Sequence, residues 1–248
     1  MNYLEAMILS IVQGIVEWLP VSSEGLSVLL MLNLFGQDVS YSITYAFFLH
    51  LGTALAVLIR FRKEFIQMFY GSQMLRVVVV STISTGLVAI PLLTLIELQS
   101  ARIMNFLIGI LLIMTGIVLR LPQSSYREIE NLSISDMIFL GFAQGIAVLP
   151  GVSRSGMTVS FLLLRKLNER AALTLSFIIS VPAVLGAIFI RGMPSEMDFS
   201  IGLSILVVTC IFGYLTMEAL LKFARKVDFS KFCITFGIIA IVLTALTF

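Results

Sequence analysis

The chain has 248 residues, of which 59% are hydrophobic and 12% charged, and its mean hydropathy is +1.07. Soluble domains carry roughly a quarter charged residues, so water is not the main solvent of this chain. A net charge of +2 without a long basic run excludes a nucleic acid partner.

Taken in chain order, the first region is the opening MNYLEAM, which has no basic n-region and leads into an apolar stretch that holds Gln13 and Glu17. A cleaved signal peptide is therefore not expected. Residues 4–36 are apolar at both ends and broken in the middle by Pro20 with its Ser and Glu neighbours, which leaves each half too short to cross a bilayer alone. Three stretches of spanning length follow, at about 42–59, 76–96 and 103–121. Residues 134–164 repeat the broken pattern around Pro150 with its Ser and Arg neighbours, and three more spans follow at about 171–190, 200–221 and 232–248. Cys210 and Cys233 fall in apolar segments and read as small buried hydrophobes, with neither a disulfide nor a metal site expected. The prediction is an all-α polytopic membrane bundle, one domain over 1–248, with six spanning helices and two re-entrant helical hairpins.

The two broken regions resemble each other. QGIVEWLPVSSEGLSV from Gln13 matches QGIAVLPGVSRSGMTV from Gln144, and one extra residue before Pro20 is balanced by Gly151 after Pro150. We read this as internal duplication, with repeat 1 over about 1–122 and repeat 2 over about 134–248. Each copy has three spans after its hairpin, an odd number, so hairpins that return to their starting side require the second copy to be inverted. The charges agree. Arg60, Arg62, Lys63 and Arg76, then Arg120 and Arg127, then Arg165, Lys166 and Arg170, then Lys222, Arg225, Lys226 and Lys231 lie in alternate connections and are cytoplasmic by the positive-inside rule. The other connections hold Asp38, Glu97 with Arg102, and Arg191 with Glu196 and Asp198. The first hairpin then enters from outside and the second from inside, an arrangement that brings binding sites to the midplane.

Polar backbone at membrane depth is tolerated only when buried in protein or lining a wet cavity, so the two breaks should face each other. Gln13 and Glu17, four apart, share one helical face. The first break adds Ser22, Ser23 and Glu24, and the second Ser153, Arg154, Ser155 and Thr158. Arg154 is the one basic residue with no place in a water-exposed connection, and it requires an anionic partner. Glu17 or Glu24 in a structural ion pair meets that need; so does a substrate phosphate, which suits a planar fork of donors. Flanking hydroxyls, and a helix start near Gly156 with free amides, favour phosphate. Glu17 reads either as a carboxylate satisfied within the protein or as a base for an attacking serine or water and a ligand for a divalent metal. Ser22 and Ser23 read as helix caps or as a nucleophile. His50, the only histidine, stands in an apolar span as FLHLGT, where packing or hydrogen bonding is the commoner role.

These residues resemble the bacitracin-resistance type of undecaprenyl-diphosphate phosphatases over essentially the whole chain. The family's Glu or Gln, three residues, then Glu is similar to Gln13 to Glu17, followed here by WLPVSSEG. Its Pro-Gly-x-Ser-Arg-Ser-x-x-Thr signature is complete from Pro150 to Thr158, and HLGT from His50 to Thr53 is similar to a family segment. The resemblance implies a plasma-membrane, multi-pass enzyme that cleaves the terminal phosphate from a polyprenyl diphosphate and regenerates the monophosphate carrier lipid of envelope glycan assembly. It assigns Glu17 as base or metal carboxylate, Ser23 as nucleophile, and Arg154 with Ser153 and Thr158 as diphosphate clamp, with Gln13, Ser22, Glu24 and Ser155 also facing substrate. A divalent cation, Mg or Ca, is the implied cofactor; the lipid diphosphate, membrane lipids and a second copy in a homodimer are the implied partners. Many members read Ser-Ser-x-Gly-His in the first loop, with a catalytic role for that histidine, where this chain has Ser22, Ser23, Glu24, Gly25 and Leu26. The rival reading is a carrier or flippase for a phosphorylated lipid, in which inverted repeats provide alternating access.

Overall fold

The structure, a computed structural model, describes every residue except 21, 71–72, 96–105, 107–108, 111–112, 115, 118–126, 150–151, 195–196, 224–228 and 247–248. The described residues form α1 (Tyr3–Val16), α2 (Ser23–Asn33), α3 (Val39–Arg60), α4 (Arg62–Met68), α5 (Gln73–Leu95), α6 (Ile134–Ile146), α7 (Arg154–Leu164), α8 (Glu169–Arg191), α9 (Phe199–Phe223) and α10 (Phe229–Leu246). Among them there is no strand, only a single parallel bridge between Arg127 and Leu167. The described residues are all-helical, as expected. Among them four helices, α3, α5, α8 and α9, are long and apolar enough to cross a membrane, and they coincide with the spans predicted at 42–59, 76–96, 171–190 and 200–221. The predicted span at 232–248 overlaps α10, and the one at 103–121 lies largely outside the described residues.

Side-chain oxygens start most of these helices. Asn2 and Glu5 form a reciprocal cap on α1, Ser133 and Asp136 one on α6, and Ser22, Asp38, Ser153 and Asn168 cap α2, α3, α7 and α8. The helices flanking the breaks have 14, 11, 13 and 11 residues, or about 16–21 Å each, short of the roughly 30 Å hydrocarbon core.

Each short pair closes on itself at its outer ends. At one end of α3, the ammonium of Met1 donates to the Tyr41 hydroxyl at 3.1 Å, and Ala6, Leu9, Met31 and Tyr45 share a buried cluster. The start of α6 and the end of α7 meet through Asp136, which is buried and paired with Arg165 and with Arg127 at 3.1 Å. Burial works to raise the Asp136 carboxyl, but the Ser133 amide and hydroxyl, Arg165 and Arg127 together hold it below its ordinary range. This second junction lies by the start of α5, where the Gln73 side chain donates to the Leu132 carbonyl at 3.1 Å. α4 carries the chain there from the Arg60 end of α3. The two pairs therefore close at opposite ends of α3. Arg60 itself pairs with Glu218 near the end of α9.

Each short pair sets its first helix on a long one. α1 lies on α9, and α6 lies on α5. The matched glycines Gly14 and Gly145 sit at these two crossings. A β-carbon at Gly14 would stand 2.7 Å from the Phe212 β-carbon and 2.8 Å from the Gly213 amide nitrogen; one at Gly145 would stand 2.7 Å from the Val88 β-carbon and 3.0 Å from the Thr85 carbonyl. Backbone cannot yield as a flexible side chain does, so Gly14→Ala should destabilise the protein by about 1–3 kcal/mol. Thermal unfolding in detergent measures this; an unchanged midpoint would show that the α1–α9 contact is looser than the geometry implies.

Candidate active site

The two breaks meet. α1 ends with Glu17 as its C-terminal cap, and Pro20 then prevents the helix from continuing. In the second copy, α6 ends at Ile146 and α7 begins at Arg154, while Pro150 and Gly151 lie outside the described residues. Matched serines start the next helices. Ser22 accepts from the Gly25 amide and Ser153 from the Gly156 amide, each at 3.1 Å. The register leaves Ser23 and Arg154 as the matched first residues of α2 and α7. Both side chains reach Glu17.

Glu17 is the hub of the site. Its side chain is 3% exposed, yet three groups donate to it and the His50 ring stands against it. The Arg154 guanidinium donates to Oε1, and the Ser23 hydroxyl donates to Oε2 at 2.6 Å. Gln13, one turn back on α1, donates to Oε2 at 2.8 Å, and His50 Nε2 stands 3.2 Å from the same oxygen. Trp18 anchors the break from behind, with its indole N–H on the Gly213 carbonyl at 2.9 Å and its ring edge-on to Phe177 at 4.8 Å. The second copy has Ala147, Val148 and Leu149 where the first has its carboxylate, and Gln144 donates instead to Thr85 at 3.0 Å.

The remaining predicted residues divide by where their hydroxyls point. Ser153 and Ser155 donate to the Leu19 carbonyl at 3.2 and 2.8 Å, so they fasten the second break to the first while lining the cleft between them. Thr158 faces α8: it donates to the Arg154 carbonyl at 2.9 Å and shares a 2.6 Å hydrogen bond with Ser176. The helix expected to start near Gly156 begins at Arg154, and the Gly156 amide is capped by Ser153. Ser22 is likewise a cap. Glu24 is buried, lines the cleft, and has an Oε1 without a hydrogen-bond partner, as does the Oε1 of Gln13.

His50 reads from the sequence as a packing or hydrogen-bonding residue, and the structure sets its ring beside Glu17. It lies 11 residues from the start of the 22-residue α3, about 16 Å down a helix of about 33 Å, at the depth where the breaks meet. The available signal was its being the chain's one histidine in an otherwise apolar span. Leu26 is 37% exposed.

The polar cleft, about 270 Å³, is lined by Glu17, Ser23, Glu24, His50, Ser153 and Arg154, among others. It adjoins a cavity of about 870 Å³ that shares Glu24, His50 and Arg154 and is otherwise largely apolar, with Phe47, Ala89, Ile90, Ala183, Ala187 and Ile190 on its walls. A charged pocket beside an oily groove suits an amphiphile with an anionic head. Among the described residues no group of three or more His, Cys, Asp or Glu side chains is arranged to hold a metal. Glu24 and Gln13 do present unpartnered oxygens, the donor type hard divalent ions take.

The model of the bacitracin resistance protein BacA family matches residues 6–242. The chain belongs to this family. An undecaprenyl-diphosphatase of Methanothrix thermoacetophila is 46% identical over 252 aligned positions, covering 99% of this chain and 98% of the relative. Those of Methanococcoides burtonii and Saccharolobus islandicus are 39% and 38% identical, covering 96% and 93% of this chain and 96% and 91% of their own lengths.

Proposed function

We propose that the protein is a membrane phosphatase that hydrolyses an undecaprenyl-type polyprenyl diphosphate to the monophosphate carrier lipid and inorganic phosphate, which recycles the lipid for cell-envelope glycan assembly. The observation that carries this reading is Glu17 of one break receiving Arg154 from the other and the Ser23 hydroxyl from its own side. The family and its undecaprenyl-diphosphatase relatives support the substrate.

The diphosphate head occupies the cleft and the prenyl chain the apolar cavity. A guanidinium has five N–H groups, and Arg154 directs one to Glu17 and one to the Ser176 carbonyl; the rest face phosphate oxygens, where they offset charge developing in the transition state. Ser23 attacks the terminal phosphorus as its proton passes to Glu17 Oε2, and the bridging P–O bond breaks with its electron pair on the lipid monophosphate. Water then hydrolyses the phosphoserine. Ser153 and Ser155 hold the two breaks in register, Thr158 steadies the Arg154 turn, and Gln13 orients Glu17. A divalent ion, Mg or Ca, would be held by Glu17 and Glu24 with the diphosphate's own oxygens and would neutralise phosphate charge.

In the membrane, the two short helix pairs are re-entrant hairpins and the long helices make up six spans, with repeat 2 inverted relative to repeat 1, in a plasma-membrane protein. The opposite ends at which the pairs close, and the exchange of partners between α1 on α9 and α6 on α5, support this layout. A carrier has no use for a serine hydrogen-bonded to a buried carboxylate, which weighs against that alternative. Purified protein in detergent should release inorganic phosphate from polyprenyl diphosphate, with a lower rate in chelator that added Mg or Ca restores. No release under any condition would overturn the phosphatase.

A further inference from the structure

Two glycines stand where nothing packs on them. Gly86 on α5 and Gly186 on α8 lie inside long helices, where glycine destabilises relative to alanine. In a membrane bundle that cost is commonly offset by letting a second helix come close, as at Gly14, Gly145 and Gly52, where a β-carbon would stand 2.5 Å from the Thr209 β-carbon. Gly86 and Gly186 make no such contact. A β-carbon at Gly86 would meet only Ile90 of its own helix, at 4.0 Å, and one at Gly186 would meet nothing within 4 Å.

Both glycines line the apolar cavity beside the cleft. On α8 the lining positions Ala183, Gly186, Ala187 and Ile190 recur three and four residues apart, and on α5 Gly86 and Ile90 are four apart, so each set is one helical face that includes its glycine. The room beside each glycine is therefore room in the cavity. Toward the cleft the cavity reaches Arg154, His50 and Glu24, the last buried with an unpartnered Oε1. Away from it, Ile90 and Ile190 line the cavity and are also exposed, next to the exposed Leu87 and Phe189. The cavity thus opens between α5 and α8 onto the apolar outer surface.

We propose that Gly86 and Gly186 are specificity-determining residues that keep open a lateral channel between α5 and α8, through which the substrate's prenyl chain runs from the cleft to the bilayer. The assignment rests on the phosphatase reading. A long chain anchored at its diphosphate has to leave the protein sideways, because its far end belongs in hydrocarbon. Residues without side-chain bulk at the two facing positions give it the width. A substrate of one isoprene unit has too little chain to need that channel.

The test compares undecaprenyl diphosphate with isopentenyl diphosphate in wild type, Gly86→Leu and Gly186→Leu. Each leucine should lower kcat/KM for the long substrate by about 10–100-fold, mainly through KM, because the chain binds alike in ground state and transition state. Turnover of the short substrate should stay within about threefold of wild type. An unchanged preference, or an equal loss with both substrates, overturns the proposal, the latter by showing a merely structural role. Gly86→Ala and Gly186→Ala should keep or raise the thermal midpoint, and a lower midpoint would show that the room is not there. A second arm needs no turnover: undecaprenyl monophosphate should raise the thermal midpoint of the wild type but not that of Gly186→Leu. Equal stabilisation of both overturns the channel. A wild type that releases no phosphate but alone is stabilised by the monophosphate would sink the phosphatase reading and leave the channel standing.

Discussion

Arg154→Ala is expected to reduce phosphate release from a polyprenyl diphosphate by about 10³-fold or more, the scale on which an arginine that meets transition-state charge acts on phosphoryl transfer. The effect should fall mainly on kcat, because negative charge on the transferred group grows between ground state and transition state and the guanidinium is already aimed where it grows. Arg154→Lys should recover only part of the loss. An ammonium cannot keep a hydrogen bond to Glu17 and the Ser176 carbonyl while presenting a planar fork to phosphate. Removing Arg154 also leaves Glu17 buried among neutral donors and one imidazole, so the thermal midpoint of each variant has to accompany its rate. A folded Arg154→Ala protein that still turns over within tenfold of wild type would exclude Arg154 from the chemistry.

Glu17→Gln and Ser23→Ala should each abolish turnover, by about 10²–10⁴-fold for the lost base and about 10³-fold or more for the lost nucleophile. The glutamine keeps the size of the side chain and one accepting oxygen but cannot take the serine proton. Its NH₂ group would also face donors, since Arg154, Ser23 and Gln13 all point hydrogens at this carboxylate. The two substitutions should be non-additive, because each disables the same proton transfer. A Ser23→Ala variant that retains a tenth or more of wild-type kcat while Glu17→Gln is inactive would assign the attack to water, with Glu17 as its base.

Much of this site was legible in the chain because charge is scarce in it. A guanidinium surrounded by apolar sequence has to find an anion, and Arg154 was the one basic residue with no water-exposed connection to occupy. The similar sequences around Gln13 and Gln144 then suggested that two broken helices meet, which offered Glu17, Glu24 or a substrate phosphate as the partner. Helical length, capping serines and four of the spans follow from local pattern in the same way, since they depend on residues within a turn or two of each other.

Other features depended on how one helix is set against another, and spacing along the chain carries no such information. Ser22 and Ser23 are adjacent and chemically alike, but the phase at which α2 begins makes one a cap and turns the other onto Glu17. Thr158 belongs to the same signature as Arg154, yet its hydroxyl faces Ser176 because α8 passes on that side. His50 reads as a packing or hydrogen-bonding residue within its own segment; only the docking of α3 brings its ring to the carboxylate. Composition and repetition thus determined that a buried acid and a buried base must pair, because an unpaired charge is costly in hydrocarbon. The tertiary structure decided which hydroxyl and which imidazole join them, because rotation and depth of neighbouring helices are fixed by contacts such as Gly14 on Phe212 and Gly145 on Val88, not by the order of residues in either one.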